Sequence, residues 1–357
     1  MAVASDAAAP GRIPDRRGLA RGAHVVLGIA LITVMIASLA TGPSGTSLWD
    51  ALLRLAQGQE LDRVESIVLW DIRAPRTLLG AIVGAALAVS GAIMQGLFRN
   101  PLADPGLLGV SAGAGLGAMI AIVLGAGLPL GIGAYFGPAL LPVFAFVGAW
   151  ISMFILYRVA TRAGRTSVAT MLLAGIALGA LTGAVSGLLV YRADDLQLRE
   201  LTFWGLGSLS GATWERILIA GPIILGATFL STRLADGLNA LALGEASAHH
   251  LGISVQKLKM AAILLVSAAV SAAVSVSGGI GFVGIVVPHL LRLVTGPDHR
   301  GLLINAALLG AVMLLLADIF ARILVAPAEL PIGIITAVLG APVFLYILLR
   351  RRSIVDL

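Results

Sequence analysis

The sequence predicts an all-α membrane protein that crosses the bilayer many times, and three observations carry that prediction. Of the 357 residues, 59% are hydrophobic and only 12% are charged, about half the roughly one-quarter charged fraction of an ordinary soluble domain. The mean hydropathy is +1.01. Apolar runs close to the ~20 residues that a helix needs to span hydrocarbon recur along the chain. So few charges could not cover a water-facing surface.

Further totals narrow the chemistry. Cysteine is absent, which excludes disulfides, iron–sulfur ligation and thiolate zinc sites. The only lysines, Lys257 and Lys259, lie outside any G-x-x-x-x-G-K-[ST] pattern, so the chain encodes no P-loop. The net charge of +6 and pI near 10.4 fit basic residues retained on the cytoplasmic side of a membrane. They do not call for nucleic acid.

Taken in order, residues 1–23 form a polar tail with Arg12, Arg16, Arg17 and Arg21 and are expected to be disordered and cytoplasmic. The apolar run from His24 to Ala40 follows. No A-x-A cleavage site comes after it and further apolar runs do, so it reads as an uncleaved first span, not a signal peptide. Nine more helices are expected near 77–97, 106–127, 139–160, 168–190, 215–232, 258–276, 280–295, 302–322 and 332–350. Residues 24–357 are thus one ten-helix domain without a convincing repeat.

Charge supports this topology. With both termini inside, inner segments hold sixteen Lys/Arg and seven Asp/Glu, and outer segments hold eight and eleven. The faces carry +9 and −3, the sign that the positive-inside rule requires. Two connecting segments are long. The outer one, 41–76, has turn signals at Gly42, Pro43 and Gly45 and then helical spacing over Leu48–Asp71. The inner one, 233–257, contains Leu238–His250, a short helix of mixed polarity.

Glycine spacing is informative among the 44 glycines. Gly175, Gly179, Gly183 and Gly187 recur every four residues along the fifth span, with Thr182 and Ser186 beside them. Gly109, Gly113 and Gly117 repeat the pattern on the third. Such ridges let helix backbones approach closely in lipid. The fifth-span ridge could equally line a pathway for a bulky solute, and spacing alone does not choose.

Enzyme readings fare poorly. Gly42-Pro-Ser44-Gly45 matches the G-x-S-G of intramembrane serine proteases. A nucleophile needs its base within about 3 Å, yet His24, His249, His250, His289 and His299 all fall on the inner side. No H-E-x-x-H occurs, and no carboxylate pair sits mid-span as a proton relay would need. Asp318 and Glu329 lie toward the outer ends of their spans. Ion-coupled transport gains little support, which leaves a transporter driven by another subunit.

Several segments together resemble one family. They are Arg73-Ala-Pro-Arg76-Thr, Asn100-Pro-Leu-Ala-Asp-Pro-Gly-Leu-Leu-Gly-Val-Ser111 and Phe203-Trp-Gly-Leu-Gly-Ser-Leu-Ser-Gly-Ala-Thr-Trp214. To these add Gly279-Ile-Gly-Phe-Val-Gly-Ile-Val-Val-Pro-His289, Ala317-Asp-Ile-Phe-Ala-Arg322 and Glu329-Leu-Pro-Ile-Gly-Ile-Ile-Thr336. From about residue 60 onward the chain resembles FecCD-family permease subunits of type II ABC importers for haem, iron–siderophores and cobalamin. The resemblance implies a homodimer of ten-helix subunits in the bacterial inner membrane. Two copies of a separate ATPase would carry ATP and Mg on the cytoplasmic face, and a periplasmic binding protein would deliver cargo to the other. The chain itself would bind no cofactor and no metal.

The resemblance also implies roles. Arg73, Arg76 and Arg322 match the rim arginines that pair with glutamates on the binding protein. The alternative is that they snorkel or pair with Asp71 or Asp318. Leu238, Gly244, Glu245, Ala248, Leu251 and Gly252 fall in the segment that couples to the ATPase. Asn100 and Leu102 match one cytoplasmic gate. Val168 and Ala169 fall at the second, where the family commonly has small hydroxylated residues. Gly175, Gly179, Thr182, Gly183, Ser186 and Gly187 are expected along the pathway. Tyr191, Arg192 and Arg199 near its outer end suit haem propionates or an anionic siderophore. Haem is the expected cargo, then a ferric siderophore, then cobalamin.

Overall fold

A computed structural model describes residues 16–127, 129–162 and 165–355. The helices in chain order begin with α1 (Arg16–Ala40), α2 (Leu48–Ala56), α3 (Arg63–Ser66) and α4 (Ala74–Leu97). Next come α5 (Val110–Leu124), α6 (Ile132–Phe136), α7 (Leu140–Ala160) and α8 (Val168–Arg192). The set continues with α9 (Asp195–Gly205), α10 (Trp214–Ser231), α11 (Ala235–Ala242) and α12 (Glu245–His250). It closes with α13 (Val255–Ser277), α14 (Val283–Thr295), α15 (His299–Ile323) and α16 (Ile332–Val355). An antiparallel hairpin, Thr161–Arg162 with Arg165–Thr166, joins α7 to α8.

A helix occurs at each of the ten predicted segments. Among the described residues, seven helices are long and apolar enough to cross a membrane, and Val110–Leu124, Val283–Thr295 and Ile332–Tyr346 are shorter apolar helices. The central helices are α4, α13 and α15, which are mostly buried, whereas α1 and α8 are largely uncovered. Helix α4 packs against α10, α13, α14 and α15; α5, α7 and α8 pack on one another to one side.

Local chemistry explains several ends. The side chains of Ser167, Thr213 and Asp298 accept from the backbone N–H of Thr170, Arg216 and Arg300 and so start α8, α10 and α15, satisfying donors that have no partner within the helix. Glycine sets the closest approaches. A Cβ on Gly84 of α4 would lie 2.3 Å from the carbonyl oxygen of Gly310 on α15, and the reverse contact is equally short. Gly113 of α5 and Gly148 of α7 make the same kind of pair. Only hydrogen side chains permit this backbone contact.

Four boundaries differ from expectation. Helix α1 starts at Arg16, so the helix takes in residues 16–23 of the predicted tail; the rest lies outside the described residues. In the outer segment 41–76, the helical spacing expected over Leu48–Asp71 is met in two pieces, with a break at 57–62. The first is α2; the second starts at Arg63, runs through a π-helical stretch at Ile67–Arg73 and merges into α4. The single inner helix is two, α11 and α12, broken at Gly244 with φ of 104°. Helix α9 was not expected, although its capping box is readable: Asp194 accepts from Gln197 N, and Gln197 accepts from Asp194 N.

Candidate functional site

At the end of the bundle where α1 and α15 finish, Arg73, Arg76 and Arg322 come together. They are not exposed cations: they are only 3%, 4% and 3% accessible. Arg76 Nε donates to Asp318 Oδ1 at 2.9 Å, and its Nη1 reaches both Glu329 oxygens at 2.8 and 2.9 Å. Arg322 Nη2 lies 3.0 Å from Asp318 Oδ2, and its guanidinium also donates to the carbonyls of Ser38 and Thr41 and to Ser38 Oγ. Arg73 donates to Leu39 O, Ala40 O and Ser44 Oγ. The alternative pairing with Asp318 is met at Arg76 and Arg322, and in this conformation none of the three arginines is exposed. They tie the end of α1 to α4, α15 and the approach to α16.

Two details of this cluster were hidden in the sequence. Gly42 makes room for Arg73, since a Cβ there would fall 2.9 Å from its guanidinium. Ser44, the serine of the protease-like match, accepts from Arg73, and the histidine of a nucleophile–base pair is not its partner.

In the expected coupling segment, Leu238 and Ala248 are fully buried and seat α11 and α12 on the bundle. Leu251 is exposed, and Gly244 and Gly252 take positive φ. Asn239 accepts from the His299 backbone and contacts its Nδ1 at 2.9 Å, while donating to Asp298. That fastens α11 to the start of α15. Glu245 is half-exposed and pairs with Lys259 of α13 at 2.8 Å. Lys259 and its neighbour Gln256 were not among the expected functional residues. The signal available was Lys259, one of two lysines in the first turns of α13.

At the first of the two segments expected to gate, Asn100 is exposed and its Oδ1 accepts from Leu102 N at 3.0 Å, closing the turn after α4. Asp104 caps the next turn by accepting from Gly106 N at 2.7 Å. Burial pushes the Asp104 carboxyl above the usual range, against the opposing pull of that N–H. At the second, Val168 opens α8 and Ala169 is exposed; the Val168 side chain lies outside the described residues.

The two glycine ridges separate. On α5, a Cβ at Gly117 would meet the Phe144 carbonyl oxygen at 2.0 Å, so that ridge is packed within the chain. On α8, Gly179, Gly183 and Gly187 have nothing within 4 Å. Leu173, Ile176, Leu181 and Leu188 are likewise exposed. Thr182 does not share this open face; it is 7% accessible and donates to Leu178 O. Ser186 is half-buried. Tyr191 is 87% accessible, Arg192 is exposed and Arg199 stacks on Phe203 at 5.7 Å. Among the described residues no cluster of three or more His, Asp or Glu could hold a metal.

Comparison with known proteins gives concordant results. The model of the FecCD transport family matches residues 30–350. The hemin transport system permease protein HmuU of Yersinia pestis is 45% identical over 337 residues, covering 92% of this chain and 97% of that protein. The cobalamin import system permease protein BtuC of Halobacterium salinarum is 44% identical, covering 81% and 74%. The vitamin B12 import system permease protein BtuC of Citrobacter koseri is 40% identical, covering 91% and 93%. Among solved structures, an inward-facing metal-chelate type ABC transporter aligns with a TM-score of 0.80 at 31% identity, covering 92% of this chain and 99% of that one.

Proposed function

Because the chain belongs to the FecCD transport family and is one of its ABC importer permeases, we propose that it imports haem. The observation that carries this reading is similarity to a hemin permease along 97% of that protein's length. The exposed Tyr191 and the nearby cations Arg192 and Arg199 support it, because they suit an amphipathic, anionic cargo. Cobalamin is the second reading, favoured by relatives at 40–44% identity, and a ferric siderophore the third.

In this reading ten helices cross the membrane with both termini in the cytoplasm, the three shorter helices crossing with the help of their neighbours. The chain works as a homodimer. The open glycine face of α8 meets its counterpart across the pathway, with apolar side chains such as Leu181 and Leu188 around it. A separate ATPase, holding ATP and Mg, engages the Glu245–Gly252 segment. A binding protein docks on the outer face. The buried arginines set the shape of that face by holding α1, α4 and α15 in register. The gates lie at Asn100–Leu102 and at the start of α8.

The test is cargo competition. Vesicles carrying the permease with its ATPase and binding protein take up labelled haem under ATP. Excess unlabelled haem should abolish the signal, whereas excess cobalamin or ferric siderophore should leave it. Suppression by cobalamin equal to that by haem would overturn the cargo assignment while leaving the importer class intact.

A further inference from the structure

We propose that Lys259 is a positioning residue that links the ATPase-facing helix α12 mechanically to the hairpin opening the cytoplasmic end of α8. This rests on the importer reading above and adds the route by which a push on one segment reaches the other.

The geometry is specific. Lys259 lies on α13, one of the central helices, and is only 6% accessible. A buried ammonium is stable only when partnered. Its partners come from two different segments: Glu245 Oε1 of α12 at 2.8 Å, and the backbone carbonyl of Thr166 at 3.3 Å. One turn earlier on the same face of α13, Gln256 grips the same threonine twice. Its Oε1 accepts from Thr166 N at 3.1 Å, and its Nε2 donates to Thr166 Oγ1 at 2.5 Å. Thr166 ends the hairpin and precedes Ser167, the residue whose hydroxyl caps α8.

The consequence follows from the cost of separation. If α12 moved away alone, it would leave the Lys259 charge buried without its carboxylate, which is strongly unfavourable. Helix α12 and the hairpin are therefore favoured to shift as a unit through α13. An open cleft of about 850 Å³, lined in part by Thr166, Ser167, Glu245, His249, Gln256 and Lys259, leaves α12 room to tilt. Glu245, half-exposed, is the end of this linkage that a partner can reach.

The experiment reconstitutes wild type, Lys259→Met and Glu245→Gln with the ATPase and binding protein in vesicles, and reads haem uptake and ATP hydrolysis together. Wild-type uptake tests the importer reading by itself. The linkage is read as haem imported per ATP hydrolysed. That ratio should fall by about tenfold in Lys259→Met, within the range of ordinary coupling effects, and less in Glu245→Gln. The charge swap Glu245→Lys with Lys259→Glu should recover part of it. A residue that merely stabilised the fold would lower both readouts in parallel and leave the ratio alone. An unchanged ratio in Lys259→Met overturns the proposal. Should that variant not assemble, an unchanged ratio in Glu245→Gln does so.

Discussion

Arg76 Nε donates to Asp318 Oδ1 at 2.9 Å, and both side chains are buried although 242 positions separate them. Asp318 thereby sits between two guanidinia, with Arg322 on its other oxygen. One carboxylate neutralises part of a paired positive charge at the end of the bundle where α1 and α15 finish.

Removing that carboxylate should be costly. Asp318→Asn leaves two buried arginines competing for fewer acceptors, a loss of about 3–5 kcal/mol by analogy with broken buried ion pairs. Thermal unfolding in detergent should show a large drop in Tm. Arg76→Glu should behave likewise, losing folded protein before any specific effect on binding-protein docking emerges. A well-folded Arg76→Glu protein that fails only in docking would restore the direct contact role that burial argues against.

Equivalent substitutions on the two glycine ridges should part company. Gly113→Leu drives a side chain into the Gly148 backbone and should destabilise the single chain by at least about 1–3 kcal/mol. Gly183→Leu meets nothing within the chain, so its Tm should change little while dimer mass and cargo uptake both fall. Equal loss of Tm in both variants would argue that α8 is covered by its own chain.

Asp104 gives a pH dependence with a definite sign. Its folded-state carboxyl is raised by burial, so the charged form costs stability at neutral pH, and the cost is relieved as pH falls through that raised value. Asp104→Asn retains an oxygen to accept from Gly106 N and removes the titration. Measured by Tm over roughly pH 4–7, a window just above the ordinary carboxylate range, wild type should gain relative to Asp104→Asn as pH falls. A relative loss would reverse the assignment.

Ser44→Ala removes an acceptor from Arg73. The expected loss is about 0.5–1.5 kcal/mol, the net worth of one hydrogen bond, with uptake retained. Loss of a peptidase activity in this variant would revive the nucleophile reading.

The helices were legible because lipid writes its requirement into composition: ten apolar stretches, each at a helix. Their ends were less so. The helical spacing over Leu48–Asp71 was readable, but hydropathy marks neither the break at 57–62 nor the π-helical stretch at Ile67–Arg73 that joins α3 to α4. Helix α9 was readable through Asp194 and Gln197, yet lies outside the apolar signal. The arginines were found as a group with Asp318 as an alternative partner, but Glu329 and Ser38 were not found. Asp318 lies one helical turn from Arg322 on α15, whereas Glu329 is 253 residues from Arg76 and Ser38 is 284 from Arg322, and no periodicity relates those pairs. The same holds for Lys259 and Thr166, 93 residues apart. Nor could spacing tell the packed ridge of α5 from the open ridge of α8, since both obey the same four-residue period.

The most direct test of the account is ATP-driven haem uptake into vesicles containing the permease, its ATPase and its binding protein, with vesicles lacking ATP as the control. Haem import by this permease predicts accumulation that requires all three proteins and ATP. Accumulation no greater than in the ATP-free control would contradict it.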